Sequence, residues 1–371
     1  MVIGIDGNEA NVERRVGIGE YSFELLRQFE EFQISNIQFQ IYLKIQPLPD
    51  MPKERDGWEY RVIGPKKMWT QVGLPFDLYF HKGRPDVFFT PSHYAPRFSP
   101  APTAISIMDL SFIHFPELFA KKDLYQLTNW TKYSAKNAKK IFTISEFSKS
   151  DIIKTYGIAA KDVIVAYPGT KKVESEKLKV QSMEDLNKKF GIEKNYILFV
   201  GTLQPRKNIE KLIEAFSVIK KKELQLVVVG KKGWMYEEIL NAPDRFKVKD
   251  KVKFLDFVSD DDLPSFYKDA ICFVLPSLYE GFGLPILEAM KYGCPVITSN
   301  ISSLPEAGGD AALYFDPQDV ADIAKKIDRV ISDEKLRSEM IKKGYQQVKK
   351  FSWEKTAKET LRVLEELGGK S

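Results

Sequence analysis

Residues 279–290 read YEGFGLPILEAM, and within them Glu280 and Glu288 stand eight apart, with Gly281, Gly283 and Pro285 between. The apolar run ICFVLPS (271–277) comes immediately before. A short, partly β-branched run of this kind reads as a strand covered on both faces. Proline suits the first position of a helix, where its missing N–H would have no partner, and ILEAMKYG continues at helical spacing to Gly293, a stop signal. A strand, a glycine turn and a helix start make an anion site: the first helical N–H groups are unpaired, and glycine lets a ligand approach the backbone. Carboxylates repel phosphate, so Glu280 and Glu288 suit hydroxyl groups instead. Phosphate flanked by hydroxyl-binding carboxylates is the chemistry of a nucleotide sugar. The plainer alternative is an ordinary turn with two solvated glutamates.

GTLQPRKN (201–208) repeats the arrangement between the strand-like YILFV and the helical NIEKLIEAF. Its turn carries Arg206 and Lys207. Cations at a helix N-terminus oppose the helix dipole unless an anion lies between them. Arginine offers phosphate two parallel hydrogen bonds and lysine a mobile point charge. Here too the alternative is a pair of solvated side chains. Two such turns in one chain favour a ligand, because open α/β sheets bind at the carboxyl ends of their strands.

The elements that must position these turns alternate along the whole chain. MVIGID, FQIYLK, DVFFTP, TAISIMDL, KIFTIS and DVIVAYPG read as strands of one half, and YILFVGT, LQLVVVG, KVKFLDFV, ICFVLPS, PVITS and AALYFD as strands of the other. Between them lie helical patterns, including 17–32 after a glycine loop, a long stretch over about 117–138, EFSKSDIIKTYG and a short WMYEEIL. This pattern predicts parallel sheets wrapped by helices in both halves. The charged TKKVESEKLKVQSMEDL reads as a linker grading into a helix. The expected domains are 1–175 and 176–351, with the amphipathic 352–371 crossing back to the first.

The chain has 371 residues, a length of about two domains at ~150 residues each. Lys and Arg number 56 against 51 Asp and Glu, a net charge of +5 with the basic residues dispersed, so no nucleic-acid partner is expected. No run of about 18 apolar residues predicts a membrane span, and MVIGIDG is too short and too soon interrupted by Asp6 to read as a signal peptide. Cys272 and Cys294 sit in apolar contexts, as reduced core residues of an intracellular protein do. His81, His93 and His114 lack metal-ligand spacing, so no metal is expected. GIDGNEAN lacks the spacing of a dinucleotide fingerprint, which disfavours a dehydrogenase.

Taken in order, RVGIGEYS, WTQVGLP, TPSHYAP, DLSFIHFPE, TISEFSKSDI, GTLQPRKN, GKKGWMYEEI, FLDFVSDDDLPSFY and EGFGLPILE resemble the family 4 retaining glycosyltransferases of the GT-B fold, bacterial mannosyltransferase-like members above all. The resemblance covers nearly the whole chain. It implies two Rossmann-like domains facing a cleft, with a nucleotide-diphosphate sugar held mainly by the C-terminal one. It further implies that Glu280 holds donor-sugar hydroxyls and that the backbone of Phe282, Gly283 and Leu284 lines sugar and phosphate. Glu288, in the first helical turn, takes the ribose hydroxyls, and Arg206 and Lys207 clamp the diphosphate in the turn that Gly201 opens. The backbone near Val258 meets the base, and Gly17 and Gly19 give the N-terminal loop access to phosphates and acceptor. One departure stands out: Met108 precedes Asp109 where relatives often carry His-Asp. Asp109 remains a candidate catalytic contact, with a turn residue at a strand end as the alternative. His93 and His114 are spatial substitutes or structural residues, and Ser145 and Glu146 line the cleft or, in the favoured reading, cap the next helix.

The expected reaction moves a hexosyl group, mannose or glucose, to a hydroxyl of a glycan or lipid-linked acceptor. Arg206, Lys207 and helix dipoles stabilise the departing diphosphate without a metal. No nucleophile–base pair stands out, so the retention that the resemblance implies points to same-face attack, the leaving phosphate helping to deprotonate the acceptor. The alternatives are an epimerase of the same fold and a non-catalytic nucleotide-binding regulator; the presence of Glu280, Glu288, Arg206 and Lys207 speaks against the latter. The expected location is cytoplasmic, with weak peripheral contact at the inner membrane face as a further candidate. The lysines of KKDLYQLTNWTKYSAKNAKK (121–140), with Tyr125, Trp130 and Tyr133, form a candidate lipid-docking face, against which stands a solvated helix whose aromatic residues pack inward.

Overall fold

The computed structural model describes residues 1–32, 36–170, 182–221 and 223–369. They form two compact units. The first comprises Met1–His114, Ala120–Gly169 and Ser352–Ser371, and the second Phe115–Phe119 and Thr170–Phe351.

The first unit is built on β1 (Val2–Asp6), β2 (Gln38–Leu43), β3 (Trp58–Val62), β4 (Val87–Thr90), β5 (Thr103–Ser106), β6 (Lys140–Thr143) and β7 (Val163–Val165). These strands are parallel, in the order β3-β2-β1-β4-β5-β6-β7. The second unit contains β8 (Tyr196–Val200), β9 (Gln225–Val229), β10 (Val252–Leu255), β11 (Cys272–Leu275), β12 (Val296–Ser299) and β13 (Ala312–Phe315). They too are parallel, ordered β10-β9-β8-β11-β12-β13. Each order runs outward from its first strand and then reverses. The reversal opens a crevice between β1 and β4 in one sheet and between β8 and β11 in the other, at the carboxyl ends where such sheets bind ligands. The strands at these points are mostly apolar; VFFT of β4 and CFVL of β11 are fully buried, as helices on both faces require.

The helix Trp353–Gly368 packs into the core of the first unit, as expected. Ser352 caps it, its Oγ accepting from Lys355 N at 3.2 Å. Trp353, Ala357, Leu361 and Leu364 are buried among Ile3, Ile5 and Leu25, and the Trp353 ring meets Tyr21 edge-on at 5.8 Å. Cys272 and Cys294 are both buried; burial pushes the Cys272 thiol up to about 12.

Three local expectations need correction. The helix expected over 117–138 is a 3-10 turn, Pro116–Leu118, followed by a helix over Lys121–Asn137. Phe119 and Ala120 between them are extended, with ψ of 142° and 140°. The helix expected at WMYEEIL runs instead over Glu237–Arg245 and admits Pro243. β3, and a π turn Trp69–Gly73 leading into a helix Leu74–Phe80, were not anticipated as elements. The segment read as a linker falls largely at 171–181, outside the described residues; its continuation is a helix over Met183–Phe190, opened by a reciprocal Ser182–Asp185 cap. No described helix is long and apolar enough to cross a membrane.

Candidate active site

In the second unit the reversal of strand order sets the exits of β8 and β11 side by side. After β8 the chain passes Gly201 and makes one 3-10 turn, Pro205–Lys207. Asn208 then reverses it in a left-handed conformation (φ 57°) into the helix Ile209–Val218. The neighbouring exit of β9 runs so close that a Cβ at Gly230 would lie 1.9 Å from the Gly201 carbonyl oxygen. After β11 the chain turns through Ser277–Gly283 into the helix Leu284–Lys291. Gly283 has φ +105°, and a Cβ there would come within 2.9 Å of Leu304 Cδ2. Backbone conformation and space both select glycine here.

The two turns lock together. Leu278 N–H donates to Arg206 O at 2.8 Å. Arg206 Nη1 donates to Tyr279 O at 2.7 Å and to Glu280 Oε2 at 3.2 Å. Lys207 Nζ donates to Glu280 Oε1, which also accepts from Ser277 Oγ at 2.7 Å. Glu280 is held by its main chain as well: its N–H donates to Ser302 Oγ at 2.9 Å, and its carbonyl accepts from Ser303 Oγ at 2.7 Å. Glu280 and Lys207 are only 8% and 9% exposed. Burial alone would raise the Glu280 carboxyl, but the charges of Lys207 and Arg206 outweigh it and hold the group at about 2, so it stays ionised.

The structure therefore brings Arg206, Lys207 and Glu280 into one cluster that the sequence reading assigned to separate tasks. Glu280 was expected to face sugar hydroxyls and the two cations to face phosphate; here the cations bind the carboxylate. The cause is strand order, which makes β8 and β11 neighbours although the residues are 73 and 74 apart in the chain. The serines at 277, 302 and 303 were missed. Ser302 and Ser303 follow β12 and precede the helix Leu304–Gly308, a third strand–turn–helix exit that the polar ISS before LPE could have signalled.

Glu288, Phe282, Leu284 and Val258 belong to the same unit. Glu288 is the fifth residue of its helix, in the second turn rather than the first, because the helix begins at Leu284. Its Oε2 accepts from Tyr267 OH at 3.0 Å. Burial and that carboxylate together push the Tyr267 phenol well above its ordinary range. Phe282 is buried, its ring edge-on to Phe351 at 5.2 Å, and Leu284 is partly buried. Val258 is buried beyond the end of the edge strand β10.

In the first unit, Gly17 stands immediately before the helix Ile18–Phe32 and Gly19 is its second residue. Asp109 follows β5, and its Oδ1 accepts from Ser111 N at 2.8 Å, the turn role that was its alternative reading. Met108 packs against the hydrophobic core, and His114 pairs with Asp151 at 2.8 Å. Ser145 caps the helix Glu146–Tyr156, its Oγ accepting from Ser148 N at 3.0 Å. The sequence reading passed over two acids beside the β1/β4 crevice. Asp6 ends β1 and accepts from Asn8 N at 3.1 Å; burial raises its carboxyl. Glu9 is raised by burial and then by Asp6. Burial lowers His93 to about 4 against the opposing pull of Asp109. Among the described residues, no group of three or more His, Cys, Asp or Glu is placed to hold a metal ion.

Comparison with known proteins agrees with this architecture. A family model described as glycosyl transferases group 1 matches residues 182–347, the part that carries the charged cluster. The chain is 30% identical to O-antigen chain mannosyltransferase B of Escherichia coli, over 93% of this chain and 94% of that one. It is 35% identical to the serotype-specific mannosyltransferase WbdA of Escherichia coli over 58% of this chain, a match that spans 27% of that longer protein. Among solved structures, sucrose-phosphate synthase from Thermosynechococcus elongatus superposes with a TM-score of 0.73 at 20% identity, covering 99% of this chain and 98% of that one. The chain belongs to the group 1 glycosyl transferases: it is a glycosyltransferase of the GT-B fold, akin to bacterial mannosyltransferases.

Proposed function

We propose that this enzyme moves a mannosyl group from a nucleoside-diphosphate mannose to a hydroxyl of a growing cell-envelope glycan, with retention of configuration and without a bound divalent ion. The mannosyltransferase relatives support the sugar. The observation that carries the donor assignment is the convergence of Arg206, Lys207 and Glu280 at the β8/β11 crevice. Two cations against one carboxylate leave the trio a positive charge, beside the start of the helix Leu284–Lys291, where a diphosphate is stabilised.

In this reading Glu280 orients the cations and is not a proton donor, because a carboxyl held at about 2 is ionised at neutral pH. The negative charge that grows on the departing diphosphate as the glycosidic bond breaks meets a positive field already in place. The acceptor hydroxyl attacks from the face the diphosphate leaves, and its proton passes to a departing phosphate oxygen. The first unit takes the acceptor.

The test is a panel of nucleotide sugars offered to the purified enzyme with a mannose-terminated oligosaccharide, in excess chelator. The expected result is acceptor-dependent release of nucleoside diphosphate from the mannose donor. Interconversion of two sugars without transfer would establish the epimerase, the absence of turnover with any donor would leave a binding protein, and activity restored only by a divalent ion would remove metal independence.

A further inference from the structure

Ser302, in the exit of β12, has φ +55°, in the left-handed region. A serine there carries a steric cost that glycine escapes and asparagine eases. The exit of β8 makes its left-handed turn with Asn208 and that of β11 with Gly283, as the backbone alone would dictate. A side chain kept at a strained angle on the edge of a site points to a task for that side chain.

The hydroxyl uses all of its bonding capacity. Ser302 Oγ accepts from Glu280 N at 2.9 Å and from Ser303 N at 2.6 Å, and it donates to Glu280 O at 3.0 Å; a hydroxyl has one donor and two acceptor sites. Two of the three bonds therefore hold the main chain of one residue. The N–H of Glu280 shares a planar peptide unit with the carbonyl of Tyr279, and Tyr279 O accepts from Arg206 Nη1 at 2.7 Å. Fixing one end of that plane fixes the other, so Ser302 reaches the guanidinium through a single rigid group. The carbonyl of Glu280 also accepts from Ser303 Oγ at 2.7 Å. Ser303 stands at the N-cap of the helix Leu304–Gly308, yet its side chain makes no capping bond among the described residues; it too is turned to Glu280.

We propose that Ser302 is a positioning residue for glycosyl transfer: its hydroxyl fixes the peptide between Tyr279 and Glu280, and through it the direction of the Arg206 guanidinium and the Glu280 carboxylate. It acts through these groups and not on the reacting atoms. Cations already held where charge develops on the departing phosphate need not reorganise as the bond breaks. The assignment rests on the diphosphate reading of the charged trio and adds the β12 exit to the β8 and β11 exits that build it.

Steady-state release of nucleoside diphosphate from GDP-mannose, with a mannose-terminated oligosaccharide as acceptor, tests this. Ser302→Gly keeps the backbone angle and removes the hydroxyl. It should lower kcat about tenfold and move the donor KM by less than about twofold. Ser302→Ala should lower kcat as much and melt at a lower temperature, since it keeps the strained angle. Ser303→Ala should lower kcat less than Ser302→Gly, because Ser302 still holds the Glu280 carbonyl. Packing alone predicts the reverse, since Ser303 is fully buried and Ser302 half-buried. In a double-mutant cycle, adding Ser302→Gly to Arg206→Ala should slow the enzyme little further, whereas a general loosening of the fold would multiply the two losses. The assignment is overturned if Ser302→Gly has near-normal kcat, if Ser303→Ala is the slower variant, or if the losses multiply. Arg206→Ala with near-normal kcat would remove the diphosphate reading together with this assignment; a slow Arg206→Ala beside a normal Ser302→Gly would remove this assignment alone.

Discussion

At the β8/β11 crevice a buried carboxylate stays ionised, whereas at the β1/β4 crevice burial drives carboxyls and an imidazole toward their neutral forms. Glu280 is held at about 2 because Lys207 and Arg206 lie within hydrogen-bonding reach. Asp6 and Glu9 have the more distant Lys44 as their attractive charge, and burial prevails. The sheets share a strand order, so topology selects the place and local side chains select the charge. A positively biased crevice suits a leaving diphosphate.

The largest effect should come from breaking the charged side of this contrast. Arg206→Ala and Lys207→Ala should each lower kcat by about 10²–10³-fold, more than they raise KM, because diphosphate charge grows toward the transition state. Steady-state kinetics measures this, and near-normal kcat in both would place leaving-group stabilisation elsewhere. Lys207→Ala should also destabilise the fold by roughly 3–5 kcal/mol, since it strands the buried Glu280 carboxylate. Adding Glu280→Gln should return much of that loss in a thermal melt; no recovery would mean that Lys207 acts by packing.

Next in size is acid sensitivity. The Glu280 carboxyl titrates near 4.5 when unfolded and at about 2 when folded. Between these values the unfolded state binds more protons, so the contribution is complete above about pH 4.5 and is lost as pH falls toward 2. It amounts to something on the order of 3 kcal/mol. Denaturant titrations at stepped pH should show Glu280→Gln with a flatter profile across that window, and a parallel profile would refute the pairing. Smaller again, Glu288→Ala should raise KM about tenfold with little change in kcat, as a contact equal in ground and transition states does. The smallest change is expected at the β1/β4 crevice. Asp109→Asn should alter kcat/KM by less than about tenfold, because its carboxylate serves a turn that an amide oxygen also satisfies. His93, neutral above about 4, should leave no inflection in the rate between pH 5 and 8; an inflection that His93→Gln abolishes would give that crevice a proton-transfer role.

Much of the fold was legible because parallel strands buried on both faces leave continuous apolar runs such as YILFV and ICFVL. β3 escaped notice because WEYRV alternates charged residues on a half-exposed edge strand. The Trp69–Phe80 element escaped because Gly73 and Pro75 interrupt it and its outer face is apolar, contrary to the amphipathic pattern used to find helices. At the site, both turns were readable from glycine, proline and charge. Their union was not: nothing local to GTLQPRKN says that its lysine will meet a glutamate 73 residues away. The break at Phe119–Ala120 was invisible for the converse reason, since neither residue is a helix breaker by type.

The placement of the helix Trp353–Gly368 in the first unit also sets an order of events during synthesis. The second unit is complete once Phe351 has left the ribosome, while the first still lacks the side chains of Trp353, Ala357, Leu361 and Leu364 that close its core. The N-terminal unit, translated first, is thus the last to have all of its core side chains available.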